Sequence, residues 1–390
     1  VTPLDIVLVA FLAAALAAGL ARGLLATVGG LVGLVVGGVA AFVAVPVVVD
    51  ALPSAQWRGP TTLLLALGLP LLGASLGAGL GHRVGQQVDR TPLRPLDRLL
   101  GGVANLLVAA LALSFVATTI TALGAPGLAP AVSSSAVVRT IAEHTPAPVR
   151  RAMAQARAAV IDDGLPRIDA LLDARRGGTA PEVDLADPVL EASARSVAQV
   201  WGTAYACGTG TTGSGFVAAP DRVVTNAHVV AGVERPLVAL PGRAAQEGRV
   251  VYYDPEADLA VVAVDGLDAD PLTVAPSLVP GDAAVVQGYP FGGPFTSVGG
   301  EVLDVGEVRT AASDGTGPTE RDIYALAADV HPGNSGGPLL STGGEVVGVI
   351  FAKSATDPDV AYGVTTRELM PVVAQAPDLT DAVTPGRCSA

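Results

Sequence analysis

Long apolar stretches broken by short polar connections fill the first third of the chain: Leu4 to Leu20, Leu24 to Val49, Thr61 to Gly81 and Leu99 to Leu123. Each is close to the roughly 20 residues that a helix needs to cross a hydrocarbon core. The pattern therefore predicts four membrane-spanning helices. Glycine and alanine recur inside them, as in LVGLVVGGVAAF, and small residues let membrane helices approach closely; a compact bundle is expected. The first stretch lacks a basic leader and is followed by three more, so it reads as a span and not as a cleaved signal.

After residue 125 the texture changes twice. Residues 126–190 are rich in Ala, Pro, Arg and Asp, and the patches APVRRAMAQARAAVIDD and LPRIDALLDARR pattern as helices separated by Pro and Gly. This segment reads as a partly helical tether. From about Ser196 onward come short β-branched runs, RVVTNAHVV, DLAVVAV, DAAVVQGY and EVVGVIF, split by Gly, Pro and Asp turns. Such spacing predicts an all-β sandwich or barrel of about 200 residues. The expected division is thus a membrane domain 1–125, a tether 126–190 and a β domain 191–390.

Composition sharpens this picture. Of 390 residues, 50% are hydrophobic and 15% charged, with a mean hydropathy of +0.52, too apolar for an ordinary soluble chain. Residues 1–125 hold six Arg and four Asp, a balance of +2, so a total of −13 leaves −15 on the remainder. Lys353 is the only lysine, and phosphate binding needs clustered cations, which excludes nucleic acid as a partner. Arginines orient the bundle: Arg22 follows the first span, Arg83, Arg90, Arg94 and Arg98 crowd the third connection, and the second connection has only Arg58. Cytoplasmic connections carry the excess of Arg, so both termini, and everything after residue 125, are expected on the periplasmic, extracytoplasmic side of an inner membrane. Valine at position 1 is expected to reflect a non-ATG start codon.

Candidate chemistry lies in the β-rich part. VVTNAHVV places His228 just after a strand, DPEADLAVVAV places Asp258 at the head of another, and PGNSGGP places Ser335 in a glycine turn. A serine needs an adjacent base, the base a carboxylate to hold its tautomer, and the oxyanion preorganised N–H donors. Gly333, Gly336 and Gly337 allow a sharp turn in which the N–H groups of Gly333 and Ser335 face one oxyanion. Asp254 is a competing carboxylate, but Pro255 after it signals a turn, whereas Asp258 starts the strand. Cys207 and Cys388 are the only cysteines; on the oxidising side of the membrane they are expected to form a disulfide, worth about 5 kcal/mol by the chain-entropy account. Such a bridge flanks the domain and would make its activity redox-dependent. No metal site or cofactor is expected from two Cys and the scattered His82, His144 and His331. Asp5 and Asp50, near span ends, read as interface-seeking carboxylates.

TNAHVV, DLAVV and GNSGGPL resemble the His, Asp and Ser segments of trypsin-like serine proteases, in the branch that includes the periplasmic HtrA proteases. GDAAVVQGYPFGG is similar to a further segment of that branch, and the likeness spans about residues 196–375. It implies two perpendicular six-stranded barrels with a cleft between them. In that cleft His228 is the general base, Asp258 its orienting carboxylate, Ser335 the nucleophile, and Gly333 with Ser335 the oxyanion hole. Asp329 falls where trypsins place the floor of the primary specificity pocket, which implies a basic P1 residue, with walls from Gly348, Val349, Ile350 and on to Ala352. The HtrA-like branch arranges this loop differently, and there Asp329 is a hydrogen-bonded carboxylate; His331 lines the pocket or faces solvent.

LDIVLVAF followed by ARGLLATVGGLVGL resembles the four-helix colicin V production membrane family, through Leu4, Asp5, Arg22 and Gly23. The combination is similar to the actinobacterial membrane-anchored proteases typified by the mycobacterial acid-resistance protease. That resemblance implies cleavage of envelope proteins, peptidoglycan hydrolases among them, in acid and oxidative stress. The chain departs from the HtrA pattern in ending at Ala390 without a PDZ domain, so recruitment through one is not expected. Self-cleavage in the tether near Arg150, Arg151 or Arg175 is compatible with this reading. The competing reading is a transporter or scaffold bundle carrying a protease-fold sensor.

Overall fold

The computed structural model describes residues 2–50, 58–88, 91–122, 132, 135–158, 166–168, 183–204 and 209–386. The chain forms two units, Val1–Phe115 with Ser135–Ile141, and Val116–Ser134 with Ala142–Ala390.

In the first unit the apolar stretches form α1 (Pro3–Arg22), α2 (Leu24–Asp50), α3 (Arg58–Val88) and α4 (Arg94–Ala122). Among the described residues three segments are long and apolar enough to cross a membrane: Pro3–Arg22, Leu24–Val45 and Arg94–Ala117. The third predicted stretch is helical but falls outside these three; α3 carries Pro70 in its interior. Large apolar side chains face outward, with Ile6 65%, Val35 64% and Phe42 84% exposed, the reverse of a soluble bundle.

Two sequence features explain how these helices start and pack. Thr2 and Asp5 form a capping box at the start of α1, with Pro3 in the first turn. Asp5, buried, also accepts from Ser135 Oγ at 2.6 Å and Val137 N at 3.2 Å, so one carboxylate caps two helix starts, its own and that of Ala136–His144. Along α2 and α3, a Cβ on Gly29, Gly33 or Gly37 would stand 2.3, 2.0 and 2.3 Å from the carbonyl oxygens of Gly77, Gly73 and Leu69. The two helices therefore run antiparallel and touch backbone to backbone, as small-residue stripes permit.

The second unit contains the helix Ala147–Ala158, as the first tether patch predicts, then β1 (Arg167–Ile168) and the short helix Pro188–Ala194. The strands that follow are β2 (Val197–Ala204), β3 (Thr209–Ala219), β4 (Arg222–Thr225), β5 (Leu237–Ala239), β6 (Gln246–Glu247), β7 (Arg249–Asp254), β8 (Leu259–Ala263) and β9 (Ala283–Gly288). After them come β10 (Thr296–Ala311), β11 (Pro318–Ala327), β12 (Pro338–Ser341), β13 (Val346–Ser354) and β14 (Val360–Thr365), then a helix Thr366–Gln375.

One antiparallel sheet has the order β6-β5-β2-β3-β4-β8-β7, the other β1-β13-β12-β9-β10-β11-β14, and an added β13–β14 pairing closes β9 to β14 into a six-stranded ring. The second tether patch departs from expectation: its described part is β1, a strand lying parallel to Lys353–Ser354. Pro166 has no amide to continue a helix, its carbonyl accepts from Lys353 N at 3.0 Å, and Ile168 packs on the buried core. One core lies between the sheets and joins Phe216, Val224 and Leu259 to Val285, Ile323 and Phe351. Further cores fill the interior of each sheet, around Val217 and Val262 in the first and around Tyr324 and Leu339 in the second.

Candidate active site

β4 ends at Thr225, and the short helix Ala227–Val230 that follows carries His228. The turn from β7 to β8 delivers Asp258 with φ 55, a left-handed conformation that Asp tolerates better than most residues. His228 Nδ1 lies 2.8 Å from Asp258 Oδ2, and the His228 amide donates to Oδ1 at 3.0 Å. Asn226 Nδ2 holds the main-chain oxygen of Asp258 at 2.8 Å. Both groups are buried, at 8% and 1% exposure. A carboxylate only accepts, so Nδ1 carries a proton toward Asp258. Among the described residues Nε2 is buried without a hydrogen-bond partner, so it is not bonded to Ser335 Oγ.

Ser335, also buried, sits in a turn whose carbonyls are taken up in hydrogen bonds. Pro332 O accepts from Phe291 N at 2.5 Å, Asn334 O from Gly337 N at 2.9 Å and Ser335 O from Ser214 N at 2.7 Å, while Gly336 N donates to Ile350 O at 2.8 Å. Ser214 Oγ donates to Gly333 O at 2.7 Å and itself accepts from Tyr289 N at 2.9 Å. No described group accepts from the N–H of Gly333 or of Ser335. Gly333 has φ 95, and a Cβ there would stand 2.4 Å from Tyr289 O. Gly336 in turn packs on Thr225 and Asn226, which brings the serine turn against the segment that bears His228. Two N–H donors beside a serine and an imidazole nitrogen form an arrangement suited to acyl transfer.

Asp254 serves a different purpose. Its carboxylate accepts from Tyr252 OH at 3.2 Å, Glu256 N at 2.9 Å and Ala257 N at 3.0 Å, closing the turn that Pro255 foretold. Burial, followed by the charge of Asp258, pushes the Tyr253 phenol up to about 12, and burial with Asp254 does the same for Tyr252, also to about 12.

The residues expected around the specificity pocket are dispersed. The Asp329 carboxylate is 70% exposed and lies 3.3 Å from His331 Nε2, whose ring stacks on Phe291 at 4.8 Å. Val349 and Ile350 are fully buried in two different cores, because neighbours on a strand point to opposite faces, and Gly348 lies on the Tyr324 ring. Of these three, only the backbone of Ile350 reaches the serine turn, through Gly336 N and Gly337 O. Lys353 Nζ donates to Val330 O at 3.0 Å. Ser214, Asn226 and Phe291, which support the site, escaped the sequence reading; their signals were the GSG inside β3, the N of TNAH and the F of PFG. Cys207, Cys388, Arg175 and the Asp50 side chain lie outside the described residues. Among the described residues no cluster of His, Cys, Asp and Glu could hold a metal ion.

The family described as trypsin-like peptidase domain matches residues 213–349, and that described as colicin V production protein matches residues 4–146. Serine protease Rv3671c of Mycobacterium tuberculosis is 32% identical over 312 residues, which is 77% of this chain and 77% of that protein. Protease Do-like 1 of Arabidopsis thaliana chloroplasts is 31% identical over 160 residues, 39% of this chain and 36% of that one. The crystal structure of the Rv3671c protease in its active form covers 56% of this chain and 99% of its own, at 35% identity and a TM-score of 0.52.

Proposed function

This chain belongs to the family of trypsin-like serine proteases that includes Rv3671c of Mycobacterium tuberculosis, and we propose that Ser335, His228 and Asp258 are its catalytic triad. The observation that carries this reading is the buried His228 ring, tied through Nδ1 to Asp258 and with Nε2 left unpartnered. In the reaction, Ser335 Oγ attacks the peptide carbonyl while Nε2 takes its proton, and Asp258 stabilises the resulting imidazolium. The N–H groups of Gly333 and Ser335 hold the oxyanion, and His228 then protonates the leaving amine. Water repeats the sequence to free the acyl-enzyme, and no cofactor enters.

The membrane part anchors this protease. α3 completes a four-span bundle with its Arg-bearing connections in the cytoplasm, which puts the tether 126–190 and the protease domain 191–390, built as two barrels, outside. An alkaline phosphatase fusion after Pro130 is then active; an inactive fusion reverses the topology. Cys207 and Cys388 form a disulfide, supported by their flanks. Pro385 O accepts from Gly232 N, and Gly202 in the hairpin that contains Cys207 lies on Val233. The substrates are proteins of the cell envelope, peptidoglycan hydrolases among them, cleaved in acid and oxidative stress, and the tether is a site of self-cleavage. A sensor built on an inactive protease fold has no need of a paired His228 and Asp258 beside two unspent N–H donors.

A fluorophosphonate probe applied to the full chain in detergent tests the triad. Labelling of the wild type and none of Ser335→Ala is expected; equal labelling of both, or of neither, overturns the assignment.

A further inference from the structure

Arg321, on β11, is 3% exposed. Its Nε donates to Glu256 O, its Nη2 donates to Pro255 O at 3.0 Å, and its Cζ lies 5.4 Å from the centre of the Phe351 ring. Among the described residues no carboxylate forms an ion pair with it. A buried guanidinium is costly unless its donors are used, and here Nε and Nη2 are used on two main-chain oxygens of a single turn. Pro255 O also accepts from Ser313 N at 3.0 Å and Ser313 Oγ at 3.2 Å. The β7–β8 turn of the first sheet is thereby held by the β10–β11 hairpin of the second.

Asp258 is two residues beyond the clamped carbonyls, in a left-handed conformation. Such conformations persist where the surroundings over-determine them. From inside the turn Asp254 fixes the amides of Glu256 and Ala257; from outside Arg321 fixes the carbonyls. Burial lowers the pKa of Arg321, while Asp258, Asp254 and Glu368 act the other way, and a guanidinium stays charged under all ordinary conditions.

We propose that Arg321 is a positioning residue of the triad: by holding the carbonyls of Pro255 and Glu256 it fixes the turn that aims the Asp258 carboxylate at His228. This rests on the triad assigned above. It also means that the sheet bearing Ser335 sets the place of a carboxylate on the other sheet, so the three groups stay in register. The charges acting on the buried guanidinium are Asp258, Asp254 in the turn and Glu368 from the carboxyl-terminal helix.

The test is the rate of fluorophosphonate labelling of the full chain in detergent, for wild type, Arg321→Met and Arg321→Lys, with thermal unfolding as the control for folding. Arg321→Met is expected to label about 10- to 100-fold more slowly, the range that small misplacements of catalytic groups produce. Arg321→Lys should recover part of the rate, since an ammonium reaches one carbonyl but lacks the planar fork. A folded Arg321→Met that labels within threefold of wild type overturns the proposal. So does a slow Arg321→Met whose loss Arg321→Lys does not partly rescue, which marks a merely structural role. Should Arg321→Met not fold, Arg321→Lys decides: wild-type rate overturns the proposal, and a partial loss in a protein that melts with the wild type upholds it. A wild type whose labelling does not depend on Ser335 overturns the triad and this inference together.

Discussion

Replacing Gly333 by Ala isolates what one N–H contributes. At φ 95 an L-residue loses roughly 1–2 kcal/mol relative to glycine. The larger effect comes from space: the new Cβ meets Tyr289 O at 2.4 Å, Phe291 N at 2.8 Å and Gly292 N at 2.9 Å. All three are backbone atoms of one turn, and that turn is pinned through Ser214 and Pro332, so the 333 peptide must give way. Its N–H then leaves the oxyanion site. Loss of one such donor costs about 10²- to 10³-fold in kcat, roughly 2.7–4 kcal/mol. KM should change little, since the donor acts on charge that develops only in the transition state. The assay is the acylation burst and turnover of p-nitrophenyl acetate by the full chain, with thermal unfolding followed in parallel. A folded Gly333→Ala protein whose kcat stays within about threefold of wild type would refute the reasoning, because the Gly333 N–H then has no part in holding the oxyanion.

Three further outcomes are expected. Asp258→Asn should lower kcat by about 10⁴ through loss of the productive imidazole tautomer, whereas Asp254→Asn, at a turn carboxylate, should stay within a few-fold; steady-state kinetics of the pair would expose a swap of roles. Gly33→Leu on α2 should destabilise the bundle by at least about 1–3 kcal/mol, because its side chain meets Gly73 O. Gly38→Leu, where nothing lies within 4 Å, should be tolerated, and melting of the two variants in the same detergent compares them. In alkali, Tyr252 and Tyr253 keep their protons to about 12. Raised phenol values mean that the neutral forms favour the fold, so their contribution is whole below the unfolded value near 10 and is lost as pH climbs from there to about 12. Absorbance at ~295 nm should then show these two ionising late, together with Tyr289 and Tyr324, which burial also pushes up; ionisation of all six tyrosines near pH 10 in the folded chain contradicts the burial.

The legible parts of this protein are those in which the decisive information is local. A run of some 20 apolar residues is a helix because its backbone has to satisfy itself wherever the run sits. The turn at Asp254 and the strand after Asp258 were legible because Pro255 announces the one and DLAVV the other, both within a few residues. The illegible parts depended on partners far away. The patch LPRIDALLDARR patterned as a helix, yet β1 forms because Lys353, some 190 residues on, offers an edge amide to Pro166. Nor does distance along the chain say what Asp329 meets: its exposed carboxylate lies beside His331.

By itself, then, the sequence determined the apolar helices, the β-rich second half, and the order and identity of the His, Asp and Ser segments, because spans and turn motifs are written in short-range periodicity. The tertiary structure alone decided that Ser214 braces the serine turn, that Val349 and Ile350 belong to separate cores, and that Arg321 of one sheet clamps the turn of the other. Burial and hydrogen bonding across sheets depend on which strands are neighbours, and strand order is set by long-range packing that no local pattern encodes.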